Sequence, residues 1–166
     1  IGNGTGPTST STMYPTIVRN FLRKSGFSCK NEIRAISGST TAIHLPLVRG
    51  LAYEIPKTKL YIIPLGVNDA GAGVAKSTYK ANLNESVDVL LASENNAYVL
   101  LLGPTPVENT TSHNNAELYR AAVSEIVAER NSNRVWGLNL GTAFTRTDAA
   151  KYAGSDTPGS RVHPND

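Results

Sequence analysis

The sequence predicts an α/β fold: a parallel sheet with helices laid on both of its faces. Two observations carry that expectation. The segments Lys59 to Leu65, Tyr98 to Leu102 and Arg134 to Leu140 are nearly continuous apolar runs, whereas strands with one wet face would alternate. Longer segments of helical period stand between them, and strand–helix alternation is the pattern of a parallel sheet. The length of 166 residues fits one domain, and at that size a chain buries about two-thirds of the surface it exposes when unfolded.

Taken in order, Tyr14, Ile17, Val18, Phe21 and Leu22 trace one face of an amphipathic helix. Pro15 suits its first turn, Arg23 and Lys24 its last, and Gly26 its stop. Glu32 to Ile36 reads as a short strand leading into Ser37-Gly38-Ser39-Thr40. Pro46 and Gly50 interrupt the next stretch, so any helix there should be short. Lys59 to Leu65 reads as a buried strand with an irregularity at Pro64. A loop, Gly66 to Gly73, precedes a long helix carrying Tyr79, Leu83, Val87, Leu90 and Leu91 on one stripe. The strand Tyr98 to Leu102 ends at Gly103-Pro104-Thr105-Pro106. A helix from about Asn115 to Arg130 presents Tyr119, Ala122, Val123, Ile126 and Val127. After the strand Arg134 to Leu140, the remainder reads as loop, with one short helix near Asp148 to Tyr152.

Composition excludes several classes. No apolar run approaches the ~20 residues of a membrane-spanning helix. One cysteine, Cys29, cannot form an internal disulfide or a thiolate cage, and is expected to be a small buried hydrophobe. A formal charge of +3 is too small to argue for nucleic acid. The cluster Arg19, Arg23 and Lys24 reads as a solvated helix face. Charged residues are 17%, against about 25% in a typical soluble domain, which leaves Asn, Ser and Thr to wet the surface. Asn3, Asn84 and Asn109 each open an Asn-x-Ser/Thr pattern that arises easily by chance in such a chain. Nothing implies a metal or cofactor. The opening Gly2-Asn3-Gly4-Thr5-Gly6 might suggest a phosphate cradle, but its spacing is not that of a dinucleotide loop, and no acid ends the second strand.

Ligands of a parallel α/β sheet bind beyond the C-terminal ends of its strands. Three loops there carry an ordered set: Ala35-Ile36-Ser37-Gly38-Ser39-Thr40, Leu65-Gly66-Val67-Asn68-Asp69 and Val162-His163-Pro164-Asn165. With the opening Ile1-Gly2, this set resembles the SGNH (GDSL-type) hydrolase family over essentially the whole chain. The Gly-x-Asn-Asp element after an apolar strand is its most specific part, and His-Pro-Asn the next. The resemblance implies a three-layer, doubly wound, flavodoxin-like parallel sheet and an ester hydrolase without cofactor. It also implies that the chain starts after the first strand and stops before the last helix. Residues 1–166 are then expected to be a single domain, truncated at both ends and part of a longer polypeptide.

The implied chemistry explains the residue types. A serine hydroxyl attacks the ester carbonyl, a histidine takes its proton, and an acid holds the imidazolium. Donors aimed at the tetrahedral oxyanion supply much of the rate. By resemblance His163 is the base, the Gly38 N–H is one oxyanion donor and the Asn68 side-chain amide another. Two positions depart from the pattern. Gly4 stands at the nucleophile position and has no side chain, and Ser160, not a carboxylate, stands three residues before His163. Loss of a triad serine costs about 10⁶ in turnover. Thr5 is therefore the candidate displaced nucleophile, with Thr8 and Ser9 beyond it, and Asp156 the candidate displaced acid. Asp69 reads as a helix or turn cap, and His44 and His113 have no matched role.

Two functions remain open. One is an esterase acting on acyl or acetyl esters of carbohydrates or small lipids. The other is a degenerate SGNH domain, catalytically inactive and kept for glycan binding or for structure. The weakly charged surface suits an extracellular or virion-associated assembly in that case.

Overall fold

The computed structural model describes residues 14–142, apart from Pro56 and the Tyr53 side chain. Helix α1 (Tyr14–Lys24) leads to an irregular segment and then α2 (Thr41–Glu54). Strand β1 (Leu60–Ile63) is followed by α3 (Val67–Ala72) and α4 (Lys76–Ser93). Strand β2 (Tyr98–Leu102), α5 (Thr110–Arg130), β3 (Val135–Leu138) and a 3₁₀ turn at Leu140–Thr142 complete the order. The sheet is parallel, in the order β1-β2-β3. Leu60 lies opposite Tyr98, and Val99 opposite Val135. The fold class is the expected one, an α/β fold with a parallel sheet.

The core lies between one face of this sheet and helices α4 and α5. Tyr79, Leu83, Val87 and Leu90 of α4 are buried against Tyr119, Ala122, Val123 and Ile126 of α5 and against Val99, Leu101 and Val135. The helical stripes are those the sequence marks out, with Leu91 and Val127 only partly buried; the strands, expected to be buried along their whole runs, bury alternate positions and leave Leu60, Tyr98, Trp136 and Leu138 exposed. Gly137 lets α5 lie close on β3: a Cβ there would stand 2.9 Å from Val123 Cγ1. On the outer seam of the helices, Lys80 bridges Glu125 and Glu129 at 3.1 and 2.6 Å, and Arg130 reaches Asp88 at 2.8 Å. Such solvated pairs each contribute at most about 1 kcal/mol, so apolar burial holds the helix pair. The opposite sheet face carries Tyr98 and Trp136, stacked at 5.3 Å and both part exposed.

Five expectations need correction. Glu32 to Ile36 is not a strand: among the described residues no strand lies beside it to supply a ladder. The helix after it is not short. It runs 14 residues with Pro46 inside, because Leu45 and Val48 are buried and α2 packs along α4. Tertiary burial there outweighs a proline cost of about 3 kcal/mol. The expected loop Gly66 to Gly73 encloses helix α3, closed by Gly73 in the left-handed conformation. Helix α5 starts at Thr110 rather than near Asn115, because Asn109 caps it by accepting a bond from the Ser112 N–H at 3.0 Å. Cys29 is only partly buried, and its thiol donates to the Arg19 carbonyl at 3.8 Å.

Smaller points follow from the same contacts. The last strand ends at Leu138, and Leu140 belongs to the 3₁₀ turn. Helix α1 forms where expected, yet it has no buried residue, and Ile17 and Phe21 are exposed. Arg19 and Arg23 on it are solvated as read, bonding Asn31 and the Cys29 carbonyl. Asn84 and Asn109 both have structural partners, Arg130 and the Ser112 N–H. The short helix expected near Asp148 to Tyr152 lies outside the described residues.

Candidate active site

Because the strands are parallel, the segments after Ile63, Leu102 and Leu138 leave the sheet at one edge. The segment after Ile63 carries Asn68 in the first turn of α3. Its geometry is set by Gly66, whose φ of 126° is hostile to any side chain. A Cβ at Gly66 would also stand 3.1 Å from Tyr79 Oη and 3.2 Å from Pro104 Cγ. Gly66→Ala is expected to destabilise the fold by about 1–3 kcal/mol, measured by urea unfolding. A change within ~0.5 kcal/mol would show that this backbone conformation is not required.

Gly38 arrives from the other side of the sequence. The Ser39 N–H donates to the Ile36 carbonyl at 3.3 Å and the Ser39 hydroxyl to the same oxygen at 2.7 Å. That tight turn puts Gly38 at φ 74°, with no atom within 4 Å of where a Cβ would stand. Asn68 Nδ2 donates to the Ser39 carbonyl at 2.9 Å. Asn68, 30 positions further along the chain, is therefore joined to the turn that carries Gly38. An amide nitrogen carries two hydrogens, and this contact uses one.

Beneath them lies Asp69, fully buried. Its carboxylate accepts from the Thr41 N–H at 3.1 Å and from the Thr41 hydroxyl at 2.6 Å. Thr41 opens α2, whose N-cap residue Thr40 makes no side-chain cap bond. Asp69 is thus a helix cap, but for α2 and not for its own turn, and an anion at a helix N-terminus is well placed. Asn82 Nδ2 donates to Thr41 Oγ1 at 3.1 Å. The Tyr119 hydroxyl donates to the Asp69 carbonyl at 3.2 Å and also to the Val74 carbonyl. Tyr79 donates to the Leu65 carbonyl at 3.0 Å and stacks on Tyr119 at 4.2 Å. Burial raises both phenols further above their ordinary range, and the Asp69 charge adds to the effect.

Thr41, Asn82, Tyr79 and Tyr119 were not singled out for this site from the sequence. Thr41 and Asn82 are ordinary helix-surface residue types, and only the packing of α2 on α4 brings them to Asp69. His44, one turn into α2, is held below the usual histidine range by burial, partly offset by Asp69. A histidine depressed in the fold favours folding most above its unfolded pKa of ~6.5 and loses that contribution as pH falls below it. Unfolding curves between pH 7.5 and 5 should therefore show less loss of stability in His44→Gln than in the parent. An identical pH dependence would remove His44 as the cause. Among the described residues, no three His, Cys, Asp or Glu side chains are grouped to hold a metal ion. No helix among them is long and apolar enough to cross a membrane.

His163, Asp156, Ser160, Gly4 and Thr5 lie outside the described residues.

The fold is shared with solved structures, two of them named as esterases. AlinE4, an SGNH-hydrolase family esterase, is 21% identical with a TM-score of 0.66, over 81% of this chain and 69% of its own. TesA is 24% identical with a TM-score of 0.66, over 94% and 80%. A carbohydrate esterase family 3 protein from Talaromyces cellulolyticus is 14% identical with a TM-score of 0.68, over 97% and 84%. At such identities the likeness speaks for the fold. No curated protein matches significantly. The family model of the GDSL-like lipase/acylhydrolases matches residues 1–166, so the Gly38 turn and the Gly66-Val67-Asn68-Asp69 element are read in the family to which the chain belongs.

Proposed function

We propose that the chain is an ester hydrolase domain acting on acyl or acetyl esters of carbohydrates or small lipids. The observation that carries this reading is the meeting of Asn68 with the Gly38 turn through the Ser39 carbonyl. A tetrahedral oxyanion needs neutral donors aimed at it, and on this reading the Gly38 N–H and the second hydrogen of the Asn68 amide supply them. His163 is the base on this reading, Thr5 the displaced nucleophile and Asp156 the displaced acid. The fold relatives support a small ester or an acylated glycan as substrate, since their names include an SGNH esterase and a carbohydrate esterase.

A second reading rests on one specific observation. Gly4 occupies the nucleophile position and Ser160 the acid position, so the domain would bind a glycan or serve an extracellular or virion assembly without cleaving. Turnover of p-nitrophenyl acetate separates the two. Activity that disappears in His163→Ala supports hydrolysis. No activity in the parent, with activity gained in the pair Gly4→Ser and Ser160→Asp, supports the inactive module.

A further inference from the structure

Asn68 and the Gly38 turn are joined directly by one partly exposed hydrogen bond, from Nδ2 to the Ser39 carbonyl. A single bond of that kind does not hold two loops at a fixed separation, because water competes for the exposed Asn68 amide. Neighbouring residues of each loop make a stronger connection. Asp69 follows Asn68, and Thr41 stands three residues after Gly38. Between them run two donors into one carboxylate, the Thr41 N–H and the Thr41 hydroxyl, both buried. Hydrogen bonds to an ionised acceptor are shorter and roughly twice as strong as neutral ones. Asn82 fixes the Thr41 hydroxyl from α4, and Tyr119 fixes the Asp69 backbone from α5. The carboxylate is therefore bonded to α2 directly and to α4 through Thr41, while α5 holds the Asp69 backbone.

We propose that Asp69 is the positioning residue of this site, clamping the Gly38 turn to Asn68 through Thr41 so that the two donors keep one separation. The proposal rests on the reading of Gly38 and Asn68 as oxyanion donors. Asp69 touches no reacting atom. It acts by holding the first residue of α2, and with it the turn immediately before that helix. An error of about 1 Å in such a constellation costs up to ~10² in rate, so the clamp bears on rate beyond its part in the fold.

The test has two readouts. In ¹⁵N–¹H spectra of the whole chain, nuclear Overhauser contacts between the Asn68 side-chain amide and the Gly38 and Ser39 backbone amides are expected in the parent. They are expected to persist in Thr41→Ser, which keeps the hydroxyl, and to vanish in Asp69→Asn and Thr41→Val while the other resonances stay in place. Contacts retained in Asp69→Asn overturn the proposal. If that variant does not fold, contacts retained in Thr41→Val overturn it. With p-nitrophenyl acetate, Asp69→Asn should lower kcat by about 10- to 10²-fold at unchanged KM, and Thr41→Ser should restore most of the loss seen in Thr41→Val. A normal kcat in Asp69→Asn, alongside a lost kcat in Asn68→Ala, overturns the clamp and leaves the donor reading standing. No loss in Asn68→Ala overturns the donor reading, and the spectra then decide the clamp alone.

Discussion

Asn68→Ala is expected to lower kcat for ester hydrolysis about 10²- to 10³-fold, equivalent to ~2.7–4 kcal/mol of transition-state stabilisation. The effect should fall on kcat with little change in KM, because the amide is proposed to meet a charge that exists only in the tetrahedral intermediate. Removing the side chain also deletes the bond to the Ser39 carbonyl. Ser39 is buried, so its carbonyl loses a donor that water does not readily replace, and the loss of stability should be about 1–3 kcal/mol. The two costs separate experimentally. Urea unfolding reads the second, and initial rates at saturating p-nitrophenyl acetate read the first. Asn68→Asp makes the comparison sharper, since a carboxylate keeps the volume, removes the donor and places negative charge beside the developing oxyanion. It should be at least as slow as alanine. Turnover in Asn68→Ala within twofold of the parent would remove Asn68 from the oxyanion site.

The helices α4 and α5 and the strand β2 were legible because each writes its burial into a period. Tyr79, Leu83, Val87 and Leu90 recur on one stripe, and all are buried. Helix α2 was misread because Pro46 is a local signal and the packing of α2 on α4 is not. Helix α3 was missed because its six residues include Gly71 and lie between Gly66 and Gly73; the glycines that terminate it look like loop. Glu32 to Ile36 has the apolar residues of a strand, but a strand is a property of a pair, and no partner stands beside it among the described residues.

The site divides along the same line. Gly38 and Asn68 stand out as candidates because their residue types are chemically demanding and their motifs are ordered along the chain. Asp69 was read as a cap, but the helix it caps begins 28 positions earlier. No local rule connects them. Its partners Thr41 and Asn82 carry no motif at all, and their role exists only once α2, α3 and α4 are packed. Donors can therefore be read from a sequence of this kind more readily than the framework that aims them.

That framework supplies the largest expected loss of stability. Tyr119→Ala should cost about 3–5 kcal/mol, in the range of large aromatic truncations in a core. Tyr119 is fully buried, stacks on Tyr79 at 4.2 Å and donates to the Asp69 carbonyl at 3.2 Å. Three losses combine: the buried ring and the cavity it leaves, a ring stack of about 0.5–1.5 kcal/mol, and a donor for two carbonyls. Tyr119→Phe isolates the last of these and should cost about 1–3 kcal/mol, since the ring stays and the Val74 carbonyl loses its hydroxyl donor, while the Asp69 carbonyl keeps the Val74 N–H at 3.0 Å. A domain of ordinary stability has only about 5–15 kcal/mol to lose, so Tyr119→Ala should be unfolded in part at 37 °C while Tyr119→Phe remains folded. Urea midpoints at 25 °C, with the slope checked for constancy, measure both. A Tyr119→Ala midpoint shifted by less than the equivalent of ~0.5 kcal/mol would mean that Tyr119 does not stand in the core. The phenylalanine variant carries a second consequence. The Asp69 carbonyl keeps the Val74 N–H at 3.0 Å when the Tyr119 hydroxyl is gone, so Tyr119→Phe should lower kcat less than Asp69→Asn does, whereas a core truncation away from Asp69, such as Leu90→Ala, should lower stability alone.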